Sequence, residues 1–323
     1  MRPLKFHPIL KQTLWGGERI IPYKELASGL SRVGESWELS GMPGSESVVA
    51  EGPWTGSTLP ELIGRFGAEL LGKANYARFG QEFPLLVKFI DAREDLSIQV
   101  HPDDELARKR HGKSGKCEMW YVLEAEPGAS LLTGFSRPIA PAEYERRVAD
   151  NTLTDVLNRQ AIASGDVFYL PAGRVHSIGK GSFIVEIQQS SDITYRIYDF
   201  DRRDAAGNSR ELHTELAREA IDFESSENSR ITYAPENNQE VRLVTTPYFT
   251  TSLYTLTART RCDWSATDSF VAIVLLQGSG SLTDNEGNRI DVRQGETWLL
   301  PASTQWTEIT PHTATLRLLT SRI

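Results

Sequence analysis

Two histidines, a glutamate and a glutamine stand at spacings that could build a cage for a metal ion. Gln99 and His101 lie two apart in the apolar, β-prone run LSIQVHP, so a strand turns both side chains to one face. Glu118 opens a second apolar run, MWYVL, and 58 residues further on His176 closes a third, GDVFYLPAGRVH. Two imidazoles, a carboxylate and an amide oxygen, carried inward by separate strands, form an N/O donor set for one divalent ion. A lone histidine such as His101, ahead of Pro102 in an apolar strand, would more often be a hydrogen-bonded core residue. Its three companions argue otherwise. For Gln99, the bland reading is a buried amide bonded to a strand edge. Cys117 falls on the strand face opposite Glu118, and His7, His111, His213 and His312 lack comparable neighbours.

The elements that must position these residues are mostly strands. FPLLVKFIDA and LSIQVHP read as buried strands around a charged turn, and MWYVLEAEPGASLLTGF as strand, Pro-Gly turn and strand. SFIVEIQQSSDITYRIYDF alternates in the manner of two more. Helical spacing is expected over 59–73, 138–160 and 212–223, and a polar linker near 224–240. From Val241 onward the pattern is almost all β.

An internal repeat divides the chain. GDVFYLPAGRVHSI, residues 165–178, can be laid on GETWLLPASTQWTEI, residues 295–309, through a shared Gly-acid-x-x-x-Leu-Pro-Ala frame. That frame sets His176 against Trp306, and the matching of MWYVLEAEPGASLL with FVAIVLLQGSGSLT sets Phe270 against Glu118. Two related β-sandwich domains follow, 1–235 with helical insertions and 236–323, the second with an apolar interior and no metal.

The bulk properties set outer bounds. The chain has 323 residues, a net charge of −8 and no Lys/Arg-rich run, which disfavours nucleic acid or an anionic membrane as partner. No apolar stretch approaches a membrane span, and the start lacks a secretory core, so a cytoplasmic location is expected. Cys117 and Cys262 give no disulfide framework. Nothing here fixes an oligomeric state.

GDVFYLPAGRVH matches the second cupin motif, G-x5-P-x-G-x2-H, at Gly165, Pro171, Gly173 and His176. The first motif has Gln99-x-His101 where many cupins have His-x-His, followed by a 16-residue insertion before Glu118. With PLKFHPILKQTLWGG, GESWELSG, PLLVKFIDAREDLSIQVHPDD, GKCEMWYVL, QQSSDITYRIYDFDR and LHTELAREAIDF, the chain resembles the zinc-dependent mannose-6-phosphate isomerases in their short bacterial form. The resemblance implies a mainly β fold of two cupin-like (jelly-roll) sandwiches with a few added helices. It further implies one Zn2+ per chain on Gln99, His101, Glu118 and His176, and aldose–ketose isomerisation of a sugar phosphate.

Such a reaction moves a proton between C1 and C2 through an enediol. It needs a proton-transfer group, charge stabilisation and an anchor for phosphate. Lys88, within LLVKFI, and Lys116, two before Glu118 on the same strand face, are the candidate cations. Either could be shifted towards acid–base work in a dry site, or could be an ordinary strand-edge or loop charge. Arg196, in TYRIYDF, alternates to the face opposite Tyr195. There an arginine needs an anion, either the substrate or a nearby Asp199 or Asp192. The resemblance makes Arg196 a substrate contact. Glu38 and Asp192 are further pocket candidates. Two rivals share the scaffold: a cupin-type phosphoglucose isomerase, which would be expected to carry His-x-His, and a non-catalytic sugar-phosphate-binding cupin.

Overall fold

The computed structural model describes residues 1–224 and 228–323. Residues 225–227, part of the expected polar linker, lie outside the described residues.

Two β-sandwiches stand back to back. The first pairs a seven-stranded with a five-stranded sheet. The larger runs, in spatial order, Arg230–Ile231, Val167–Leu170, Glu118–Ala125, Ser182–Gln189, Leu85–Ala92, Ile9–Gly17 and Val33–Leu39. The smaller runs Leu157–Ala161, Ser130–Phe135, His176–Ile178, Ile98–Val100 and Tyr195–Tyr198. Period-2 alternation divides their residues among three cores. Trp120, Val122, Phe168, Ile178 and Ile184 fill the space between the two sheets. Met119, Tyr121, Val185 and Ile187 point the other way, against the second sandwich. On the far side of the smaller sheet, Ile98, Val100, Tyr195 and Ile197 are covered by Tyr144 and Ala217 from the helices Pro141–Ala149 and Thr214–Ala220.

The second sandwich has a six-stranded and a four-stranded sheet. The six-stranded one is extended by Leu4–Lys5, which pairs with Thr297–Leu300. Its strand Val271–Gln277 repeats the alternation: Phe270, Ala272 and Val274 join the shared middle core, while Val271, Ile273 and Leu275 face its own interior.

The repeat survives in the backbone. Gly165 N donates to Val122 O at 2.8 Å, and Gly295 N to Leu275 O at 2.9 Å. Both glycines take a positive φ, 90° and 81°, which a residue with Cβ rarely adopts. The strand registers, however, correct both expected equivalences. Leu170 pairs with Glu118 and Leu300 with Val271, so Val271 rather than Phe270 holds the place of Glu118. A slip of one residue exchanges the faces of a strand. Phe270 accordingly packs on Phe83 between the sandwiches, ring centroids 4.8 Å apart. Similarly, the second copy has one more residue before its isoleucine, so counting back from Ile178 and Ile309 sets His176 on Thr307. Thr307 is buried, whereas Trp306 is half-buried beneath the Arg261 guanidinium.

Three local expectations also change. The helix over 59–73 is broken into Leu59–Phe66, Ala68–Leu71 and a third helix, Lys73–Phe79, because Gly67 and Gly72 take φ of 50° and 94°. The helix over 138–160 stops at Ala149, and Leu157–Ala161 is a strand paired with Ser130–Phe135. The insertion after His101 holds a helix, Asp104–His111, whose first turn is capped by Asp103 and whose end is closed by Gly112 in the left-handed region.

Candidate metal centre and active site

Each sheet of the first sandwich contributes half of the site. Gln99, His176 and Arg196 come from the smaller sheet, where Gln99 is the register partner of both others. Glu118, Lys88 and Glu186 come from the larger sheet, where Glu186 stands opposite Lys88. His101 and Lys116 flank the strand ends. Lys88, Gln99, Lys116, Glu186 and Arg196 line a cavity of about 190 Å³ together with Trp15, Glu35, Trp37 and Ser97, and His101, Glu118 and His176 lie behind it in contact with Gln99 and Lys116.

His101, Glu118 and His176 bring one ligand atom each within 4.8 Å of one another. All three are buried. Each imidazole is oriented by a backbone carbonyl: His101 Nδ1 lies 2.8 Å from Ile193 O, and His176 Nδ1 lies 2.8 Å from Arg174 O. An N–H on each Nδ1 leaves both Nε2 lone pairs facing inward. Glu118 Oε1 lies 3.2 Å from His176 Nε2, and Glu118 Oε2 lies 3.5 Å from His101 Nε2. Two lone-pair acceptors 3.2 Å apart repel unless a cation lies between them, and the buried Glu118 Oε1 has no hydrogen-bond partner. The donor set therefore fits a divalent metal. The Gln99 side-chain amide lies beside it, 3.3 Å from His176 Nε2. A half-turn of that amide exchanges its nitrogen and oxygen.

The electrostatics keep the two imidazoles in their neutral, ligand-ready form. Burial, then the Lys116 charge, hold both imidazoles below their usual range, His176 down to about 4. Burial and the neighbouring Glu186 push the Glu118 carboxyl up, against the pull of Lys116. Burial would raise Glu186 too, but Lys116 and Lys88 outweigh it and hold it low.

Lys116 Nζ donates to Glu118 Oε2 and lies 2.9 Å from His101 Nε2, so it is a site residue and not a solvated loop charge. Lys88 is inside as well, 3.2 Å from Glu186 and 3.7 Å from Glu35, with its ammonium over the Trp37 ring. Burial alone would lower its pKa, yet the two carboxylates raise it above the ordinary lysine value. Lys88 is thus held as a cation between two carboxylates.

Arg196 faces the cavity as alternation requires. Its Nη1 donates to Glu211 O at 2.9 Å, and among the described residues its Nε has no partner. Neither expected carboxylate reaches it: Asp199 is held by Arg202 and Arg210, and Asp192 by Lys113. Glu38 lies elsewhere, 2.9 Å from the buried Lys24 ammonium. From the same strand Glu35 and Trp37 line the cavity instead.

Residues 4–132 match the family model described as phosphomannose isomerase type I, catalytic domain. A probable mannose-6-phosphate isomerase of Bacillus subtilis is 34% identical over 303 residues, covering 93% of either chain. The chain belongs to the mannose-6-phosphate isomerase family. A mannose-6-phosphate isomerase of Streptococcus mutans is 33% identical over 302 residues, covering 93% of this chain and 92% of its own. Among solved structures, that of the mannose 6-phosphate isomerase from Bacillus subtilis superposes with a TM-score of 0.90 at 30% identity, over the whole of both chains. The mainly β, two-sandwich architecture is that of this isomerase family, as the cupin motif implied.

Proposed function

We propose that this chain is a cytoplasmic, zinc-dependent aldose–ketose isomerase that interconverts mannose 6-phosphate and fructose 6-phosphate. The single observation that carries the reading is the set of inward lone pairs on His101, Glu118 and His176 beside Arg196, which pairs with no carboxylate among the described residues, in a chain of this family. Gln99, His101, Glu118 and His176 would hold the ion. When bound, zinc would polarise the carbonyl and hydroxyl oxygens at C1 and C2 of the sugar.

The chain's own residues supply the rest. Lys116, whose ammonium sits beside His101 and Glu118 and lines the cavity, is the proton-handling group. Arg196, with no carboxylate of its own, is suited to the negative charge that develops on the enediolate oxygen. Lys88, clamped between Glu35 and Glu186, keeps a positive charge on the cavity wall. Trp15 and Trp37 add aromatic surface to the cavity lining. The division into a catalytic sandwich over 1–235 and a second over 236–323 belongs to the same proposal. Among the described residues, no helix is long and apolar enough to cross a membrane.

A coupled assay converting mannose 6-phosphate to fructose 6-phosphate, run with and without chelator, tests the reading. Activity that disappears with chelator and returns with added Zn2+ is the expected result. Activity indifferent to chelation would reject the metal, and binding without turnover would favour the non-catalytic rival.

A further inference from the structure

The segment after the strand Tyr195–Tyr198 is organised around one buried carboxylate. Asp199 accepts from Arg202 Nη2 at 2.6 Å, from Arg210 Nε at 2.7 Å and from Arg210 Nη2 at 2.5 Å. Between Asp199 and Arg202, Phe200 and Asp201 take φ of 55° and 52°. Two consecutive side-chain-bearing residues in the left-handed region are costly and persist only when the surroundings over-determine them. Here the surroundings are the Asp199–Arg202 pair and a second anchor from Arg202 Nη1 to the Asp95 carbonyl.

The outcome is an uneven distribution of charge. Three guanidiniums converge on one carboxylate, and the carboxylate is spent on two of them. Arg210 and Arg196 both line the cavity, but among the described residues only Arg210 of the two is paired with a carboxylate. Were Asp199 turned onto Arg196, the cavity would lose its unpaired cation; were it absent, three like charges would spread apart. We propose that Asp199 is a positioning residue: it holds the strained turn, aims Arg210 into the cavity and leaves Arg196 free for an anionic substrate. This rests on the cavity being the sugar-phosphate site.

The test uses the metal-loaded full chain, with fructose 6-phosphate as the calorimetric probe and steady-state kinetics beside it. Arg210 meets the anion equally in ground and transition states, so Asp199→Asn should weaken binding and raise KM at least ten-fold. Its kcat should stay within about three-fold, with metal content unchanged. Asp199→Glu should recover at least half of the lost affinity, counted on a logarithmic scale. In an Arg210→Ala background, Asp199→Asn should add less than two-fold, because the effect runs through Arg210. Unchanged affinity in Asp199→Asn, or full additivity with Arg210→Ala, overturns the proposal. If Asp199→Asn fails to fold, Arg210→Ala alone must raise KM with kcat retained, and its failure to do so is equally decisive. Wild-type protein that binds no sugar phosphate would refute the substrate reading itself. Wild type that binds and turns over, matched by Asp199→Asn, would refute only the positioning role.

Discussion

Two interiors built on one repeat differ in what they enclose. The first sandwich places Glu118, His176, Lys88, Glu186 and Gln99 between its sheets, while the second places Val271, Ile273, Leu275, Leu282 and Ile309. The glycine turn and the register beside Glu118 and Val271 are the same in both. Burying charge is expensive unless each group is paired, and the first sandwich meets that cost with a dense network of partners. The second confines buried charge to Asp284, held by the turn that follows it, and its apolar interior packs as an ordinary core. The difference teaches that chemistry here is a matter of a few inward positions on a scaffold that stability alone would fill with Val, Ile and Leu.

The comparison can be broken in steps of decreasing size. Glu118→Ala or His176→Ala should lower turnover by roughly a thousand-fold or more and take bound metal to near zero, since each removes a ligand. Elemental analysis beside the coupled assay checks both halves. Arg196→Ala or Lys116→Ala should cost about 10²–10³ in kcat while metal stays bound, the range for loss of one charge-stabilising group. Loss of metal as well would show that these side chains build the cage and do not act on substrate.

Val271→Ala, at the counterpart of Glu118, should cost about 1–3 kcal/mol of stability through lost burial and a small cavity. Denaturant unfolding measures it, and kcat and metal content should stay as in the wild type. A drop in kcat would mean that the second interior takes part in the chemistry.

The smallest effect is a pH dependence. Burial would raise the Asp199 pKa, but Arg210 and Arg202 outweigh it and hold it below the ordinary value. A lowered native pKa stabilises fully above the unfolded value of about 3.9 and less as pH falls through the native one. The stability gap between wild type and Asp199→Asn should therefore be wide at pH 5 and narrow on acidification below about 3.9. A gap that widens towards acid has the wrong sign.

Much of the site was legible because strand alternation is strict. Gln99 and His101, Lys116 and Glu118, and Arg196 opposite Tyr195 all fall where period 2 sends them. The acid in SFIVEIQQ carries the same signal: Glu186 is a charge in an apolar run, and it stands opposite Lys88, although the alternation by itself marks only a strand. Glu35 and Trp37 were equally readable from the alternation of GESWELSG, which points them away from Glu38. The Asp199 network was not readable, because it depends on two left-handed residues that no periodicity marks. The equivalences to Phe270 and Trp306 failed by single residues for one reason: aligned letters do not fix hydrogen-bond register, and register decides which face a side chain takes. Gly67 and Gly72 interrupt the 59–73 helix at places where apolar spacing alone runs on.

The most direct measurement pairs metal content with isomerase turnover in wild type and Glu118→Ala. One divalent ion per wild-type chain, with mannose 6-phosphate converted to fructose 6-phosphate, and neither in the variant, is the expected result. Full turnover by a metal-free Glu118→Ala protein would contradict the account.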